Sequence, residues 1–154
     1  MPSSRRAGAD VKRLIAWLRQ QANVPVWLIG TSRGTQSAAF LGTELRRADG
    51  GADGIVLTSS ILIDPRGRPV PAMPLEKIHV PVLVVHHRED GCFACRYTDL
   101  PPLMRKLTAV PRKELITIEG GASRGDPCEA MAHHGFNGIE REVVAKIAEW
   151  IAPK

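Results

Sequence analysis

Gly30-Thr31-Ser32-Arg33-Gly34 follows the spacing G-x-S-x-G, with an apolar run before it and a helical pattern after it. A serine raised on a tight strand-to-helix turn exposes its hydroxyl, and small flanking residues let the two elements approach closely. The start of the helix then offers the Arg33 backbone N–H and a positive dipole to a developing oxyanion. The plainer alternative is a glycine-bracketed turn in which Ser32 only caps the helix. A serine hydroxyl is a weak nucleophile, so the stronger reading requires a base and a carboxylate to orient that base. Asp90, in VLVVHHREDG, would emerge just past a strand, with Glu89 and Asp99 as competitors and a turn-forming role as its plain alternative. Two imidazoles follow in AHHGFNGIE, His133 and His134. We favour His134 because Gly135 permits a tight loop that aims the ring back at Ser32. His79, His86 and His87 read as structural or surface histidines.

The cysteines form a second constellation. Cys92 lies two residues after Asp90 and Cys128 six before His134, so a Cys92–Cys128 disulfide would tie the acid-bearing and base-bearing loops, leaving Cys95 as a spare thiol. Such a bridge points to an extracytoplasmic compartment, periplasmic or secreted; without it the chain is expected in the cytoplasm. A rival reading takes Cys92, Cys95, Cys128 and His133 as a Cys3His zinc set. A chain with several buried strands has little need of structural zinc, so no metal and no cofactor is expected. A redox CxxC is disfavoured because the motif does not open a helix after a first strand.

The elements that must position these groups can be read from periodicity. Val24 to Thr31, Gly54 to Ser60, Val80 to His86 and Glu114 to Glu119 are short apolar runs rich in β-branched residues, expected as strands buried on both faces. Val11, Leu14, Ile15 and Leu18 share one helical face, as do Ala38, Leu41 and Leu45, the latter helix ending at Arg46, Arg47 and Gly50-Gly51. Asp99 is expected to cap a helix opened by Pro101-Pro102 and carrying Leu103, Met104 and Leu107. Ile139, Val143, Ile147, Trp150 and Ile151 mark the last helix. Pro65 to Pro74 excludes a regular helix or central strand. The order α-β-α-β-loop-β-α-β-α predicts a single α/β domain over residues 1–154, with about four mostly parallel strands, flanking helices and a ligand site outside the strand C-termini.

Composition sets the outer limits. In 154 residues, 44% hydrophobic, there is enough apolar material for one real core. Twenty-one basic against sixteen acidic residues give +5, but the basic residues are scattered and few aromatics accompany them, which argues against nucleic-acid binding. No apolar run approaches the roughly 20 residues of a membrane span, and residues 1–10 lack a signal-peptide core, so a soluble chain is expected.

The elbow GTSRG, the segment VPVLVVHHRED and the terminal HHGF with its amphipathic helix resemble the C-terminal half of α/β-hydrolases, particularly small dienelactone-hydrolase-like and esterase-like members. The resemblance covers most of the chain from Val24 onward. It implies a serine hydrolase acting on a small ester, thioester or amide through an acyl-enzyme, with Ser32 as nucleophile, Asp90 as acid and His134 as base, the family's chain order. Two departures stand out. His87 follows His86 where many members have glycine, and the first half of the family's sheet, with the loop that donates a second oxyanion N–H, has no counterpart before Val24. Loss of one such donor costs about 10²- to 10³-fold in rate, which makes a catalytically weak, partner-binding module the alternative. The missing neighbour also exposes one edge of strand 24–31, for which self-association is the expected response.

Overall fold

The computed structural model describes residues 2–153. Its order is α1 (Pro2–Gln21), β1 (Trp27–Thr31), α2 (Arg33–Glu44), β2 (Gly54–Thr58), β3 (Val82–His87), α3 (Pro101–Lys106), β4 (Lys113–Ile118) and α4 (Glu140–Ile151), with short 3-10 turns in several of the connections. The four strands form one parallel sheet in the order β1-β2-β3-β4. All strand C-termini therefore open at the same end.

Two apolar layers hold the sheet. On one face Ala38 and Ala39 of α2 and Leu103 of α3 pack with Leu107 against Ile55, Leu57, Val82 and Val84. On the other, Val143 and Trp150 of α4 cover Val56, Leu83 and Val85. Trp150 meets Trp27 edge-on at 5.7 Å and lies under the Arg112 guanidinium at 3.6 Å, anchoring the last helix to the first strand.

Several boundaries differ from the sequence expectation for identifiable reasons. β1 begins at Trp27 rather than Val24, and β3 at Val82 rather than Val80; Pro25 and Pro81 lack the N–H that a ladder needs. Burial on both faces holds for the inner strands β2 and β3, whereas β1 and β4 are edge strands with partly or fully exposed residues. In α1 only Ile15 of the expected apolar face is buried, and Leu14 and Leu18 face solvent together with Trp17. α2 stops at Glu44, leaving Arg46 extended and Arg47 in a 3-10 turn instead of in the last helical turn. Asp99 does not cap α3: it closes the preceding 3-10 turn, its carboxylate accepts from Arg96 at 2.9 Å, and Leu100 holds the cap position. Pro65 to Pro74 is irregular apart from one 3-10 turn at Val70–Ala72. No helix among the described residues is long and apolar enough to cross a membrane.

Candidate active site

Ser32 occupies the single-residue step between β1 and α2, with φ 50° and ψ −119°. A non-glycine residue in that region carries about 1–3 kcal/mol of strain, and its surroundings hold it there. The Ser32 N–H donates to the Thr58 carbonyl at 3.0 Å. Its own carbonyl accepts from the buried Thr35 hydroxyl at 2.6 Å, and that hydroxyl in turn accepts from the Ile61 N–H. The elbow is thus bolted to the end of β2 and to the loop beyond it. No side-chain cap bond is made by Ser32, so capping does not account for this serine. Gly30 is sterically required, because a Cβ there would stand 2.4 Å from the Gly34 carbonyl oxygen; at Gly34 the same addition meets open space, contrary to the expectation that both flanking glycines are needed. Arg33 opens α2, so its N–H has no helical carbonyl partner.

The carboxylate and the imidazole meet. Asp90, three residues past β3, has a fully buried side chain whose Oδ2 accepts from His134 Nδ1 at 2.9 Å. Its Oδ1 accepts from the Cys92 N–H at 3.0 Å, so the turn-forming role and the pairing role coexist in one residue. Because a carboxylate can only accept, Nδ1 carries the proton and the free lone pair of neutral His134 lies on Nε2. That atom is buried and has no hydrogen-bond partner among the described residues, so Ser32 Oγ is not bonded to it. Of the rival acids, Glu89 is exposed and Asp99 is paired with Arg96. His133 lies elsewhere, stacked on His87 at 4.2 Å with its Nδ1 donating to the Glu89 carbonyl. Gly135 is required where it stands, since a Cβ would fall 2.1 Å from the Ala130 carbonyl oxygen.

Two further residues position this pair: Ser59, which nothing in the sequence marks, and His86, which the sequence offers only as a structural or surface histidine. Ser59, one residue beyond β2, is fully buried with φ 45°, and its hydroxyl donates to the His134 carbonyl at 2.7 Å. Its partner lies 75 positions away, so no local signal marks it. His86 donates Nε2–H to the Cys95 carbonyl at 2.6 Å, and the same atom is 3.6 Å from Asp90 Oδ2. Burial holds its pKa below the ordinary histidine value, outweighing the Cys95 carbonyl and the Asp90 charge.

Cys92 and Cys128 form a disulfide, as the spacing suggested, joining the loop after Asp90 to the loop before His134. Cys95 is a buried free thiol, its pKa pushed up to about 12 by burial with the Asp90 carboxylate adding to the effect. The Cys3His set proposed from sequence is not assembled: two of its sulfurs are bonded to each other and His133 is turned toward His87.

Two clefts adjoin the elbow. One, of about 440 Å³, is walled by Arg33, Ile63, Asp64, Arg66 and the exposed Phe93, with Asp64 clamped by Arg33 and Gln36. The other, of about 310 Å³, runs over apolar Ile29, Phe136, Val143 and Val144, and begins at Thr31 and Gly135, the neighbours of Ser32 and His134.

No family model and no curated protein matches the sequence. Solved structures do match. A metagenome-derived lipolytic enzyme of the pair LipS and LipT aligns over 96% of this chain and 73% of its own, at 14% identity and TM-score 0.64. The monoacylglycerol lipase of Paleococcus ferrophilus aligns over 94% of this chain and 74% of its own, at 14% identity and TM-score 0.61. The Thermus thermophilus protein TT1662 aligns over 96% and 63%, at 17% identity and TM-score 0.57. The chain has an α/β-hydrolase fold, with a four-stranded parallel sheet that spans only part of those neighbours.

Proposed function

We propose that the chain is a serine hydrolase that cleaves a small ester, thioester or amide through an acyl-enzyme. The reading rests above all on the buried Asp90–His134 pair, which leaves His134 Nε2 unpartnered at the sheet end where Ser32 is held in a strained turn. In this scheme Ser32 Oγ turns toward Nε2, His134 removes its proton as the oxygen attacks the substrate carbonyl, and Asp90 stabilises the imidazolium. The Arg33 N–H, at the start of α2, donates to the oxyanion. His134 then protonates the leaving group, and water repeats the sequence on the acyl-serine.

The test is intact-mass analysis after treatment with a fluorophosphonate. One adduct is expected on the wild-type chain and none on Ser32→Ala. Asp90→Asn should slow labelling by up to about 10⁴-fold, because the imidazole loses its tautomer and orientation. A folded wild-type chain that takes up no probe would overturn the assignment.

A second reading is favoured by one observation. Among the described residues the outer edge of β1 has no strand neighbour; Ile29 of that strand is 56% exposed, and Leu14 and Trp17 of α1 are each 54% exposed. In that reading the chain is a module that associates with itself or a partner through this edge. Light scattering across a concentration series separates the cases: a monomer at all concentrations removes self-association.

A further inference from the structure

The disulfide occupies one of a set of atoms that would otherwise suit a metal ion. Cys92 Sγ, Cys95 Sγ and a ring nitrogen of His134 lie within 4.8 Å of one another, all three residues being buried. Cys92 and Cys95 sit in a tight turn closed by the Cys95 N–H on the Cys92 carbonyl at 2.9 Å, so the C-x-x-C pair already converges. Zinc binds thiolate at about 2.3 Å and imidazole at about 2.0–2.1 Å, which puts tetrahedral ligand atoms roughly 3.5–3.8 Å apart. A contraction of about 1 Å would seat an ion. Independently, His134 Nδ1 is occupied by Asp90 while the buried Nε2 has no partner. The adjacent set His87, Glu89 and His133 is not equivalent: His87 donates Nε2–H to the Gly120 carbonyl and accepts the Glu89 N–H at Nδ1, so neither nitrogen is free.

We propose that the Cys92–Cys128 disulfide guards a latent metal site: once a dithiol reduces it, Cys92, Cys95 and His134 bind one thiophilic divalent ion such as Zn²⁺, which takes the imidazole away from Ser32. The regulatory half rests on the reading of His134 as the base; the metal site does not. In the reduction the dithiol gives two electrons to the S–S bond and closes to its own ring disulfide, and Cys92 and Cys128 take up its two protons. Metal binding then releases the thiol protons of Cys92 and Cys95.

Cobalt(II) reports the site without reference to activity. After reduction and anaerobic desalting, the chain should take up about one equivalent and develop sulfur-to-cobalt charge-transfer absorption; the oxidised chain should not. Cys128→Ser, which cannot form the bridge, should bind without any reductant. Cys95→Ser and His134→Ala, in the reduced state, should each weaken uptake by more than about 10-fold. Zinc added to the reduced wild type should slow fluorophosphonate labelling by about 100-fold or more, the scale of a lost general base, with recovery on chelation. Absence of cobalt uptake by both the reduced wild type and Cys128→Ser overturns the proposal, as does uptake that His134→Ala leaves unchanged. If the chain is unlabelled before metal is added, the hydrolase reading fails while the cobalt spectrum still decides the site.

Discussion

At the scale of single residues, the backbone of Ser32 carries a cost that the hydroxyl does not. The φ of 50° and ψ of −119° burden any residue with a Cβ, so Ser32→Ala keeps the strain and Ser32→Gly sheds it. Ser32→Gly is expected to be more stable than Ser32→Ala by about 1 kcal/mol or more in urea melts. His86 sets a pH response. Its folded pKa is lowered by burial, so below the ordinary value near 6.5 the unfolded chain binds more protons than the folded one. Stability should therefore fall as pH drops below that value toward the folded pKa, and be fully present above it. Replacing His86 with Gln should flatten that part of the stability-pH curve, which denaturant midpoints at a series of pH values will show. Among the candidate site residues, Ser32, Asp90 and His134 stand out in the sequence because glycine spacing, a strand end and a glycine-backed imidazole are local marks. Ser59 does not, since its partner His134 lies 75 residues away, and His86 reads only as a structural or surface histidine, because the turn after β3 that brings Cys95 and Asp90 to its ring carries no periodic mark.

Among the elements, what sequence reveals depends on whether burial is complete. β2 and β3 are buried along their whole length and read plainly as apolar runs. α1 read as an ordinary amphipathic helix, yet Leu14, Trp17 and Leu18 lie outside the core, because periodicity identifies an apolar face without saying what covers it. β1 and β3 start later than their apolar runs do, because Val24 and Val80 are apolar while Pro25 and Pro81 withhold the ladder hydrogen bond. Two substitutions separate the elements' roles. Leu83→Ala, the second residue of β3 and fully buried, should cost about 2–5 kcal/mol in denaturant melts. Gly30→Ala should distort the elbow itself, since the intruding methyl meets the Gly34 backbone rather than a side chain that can move aside. It is expected to abolish fluorophosphonate labelling while Gly34→Ala, entering open space, leaves labelling within a few-fold of wild type.

Across the whole molecule, one covalent tie spans the site end of the sheet. The Cys92–Cys128 bridge closes a loop of 36 residues containing α3 and β4. By the chain-entropy relation such a closure stabilises a fold by about 3–4 kcal/mol. Reduction without added metal should lower the urea midpoint accordingly, and the size of the drop is measurable by titrating oxidised and reduced chains side by side. The strand order β1-β2-β3-β4 has a different consequence, for synthesis. Each strand pairs with the one made just before it, so the sheet can grow in step with translation. The contacts of His134 do not follow that rule: they reach back 44 residues to Asp90 and 75 to Ser59. A nascent chain therefore displays its serine long before it owns the imidazole, and under the proposed hydrolase reading any product cut short after the third strand would carry the hydroxyl as an inert side chain.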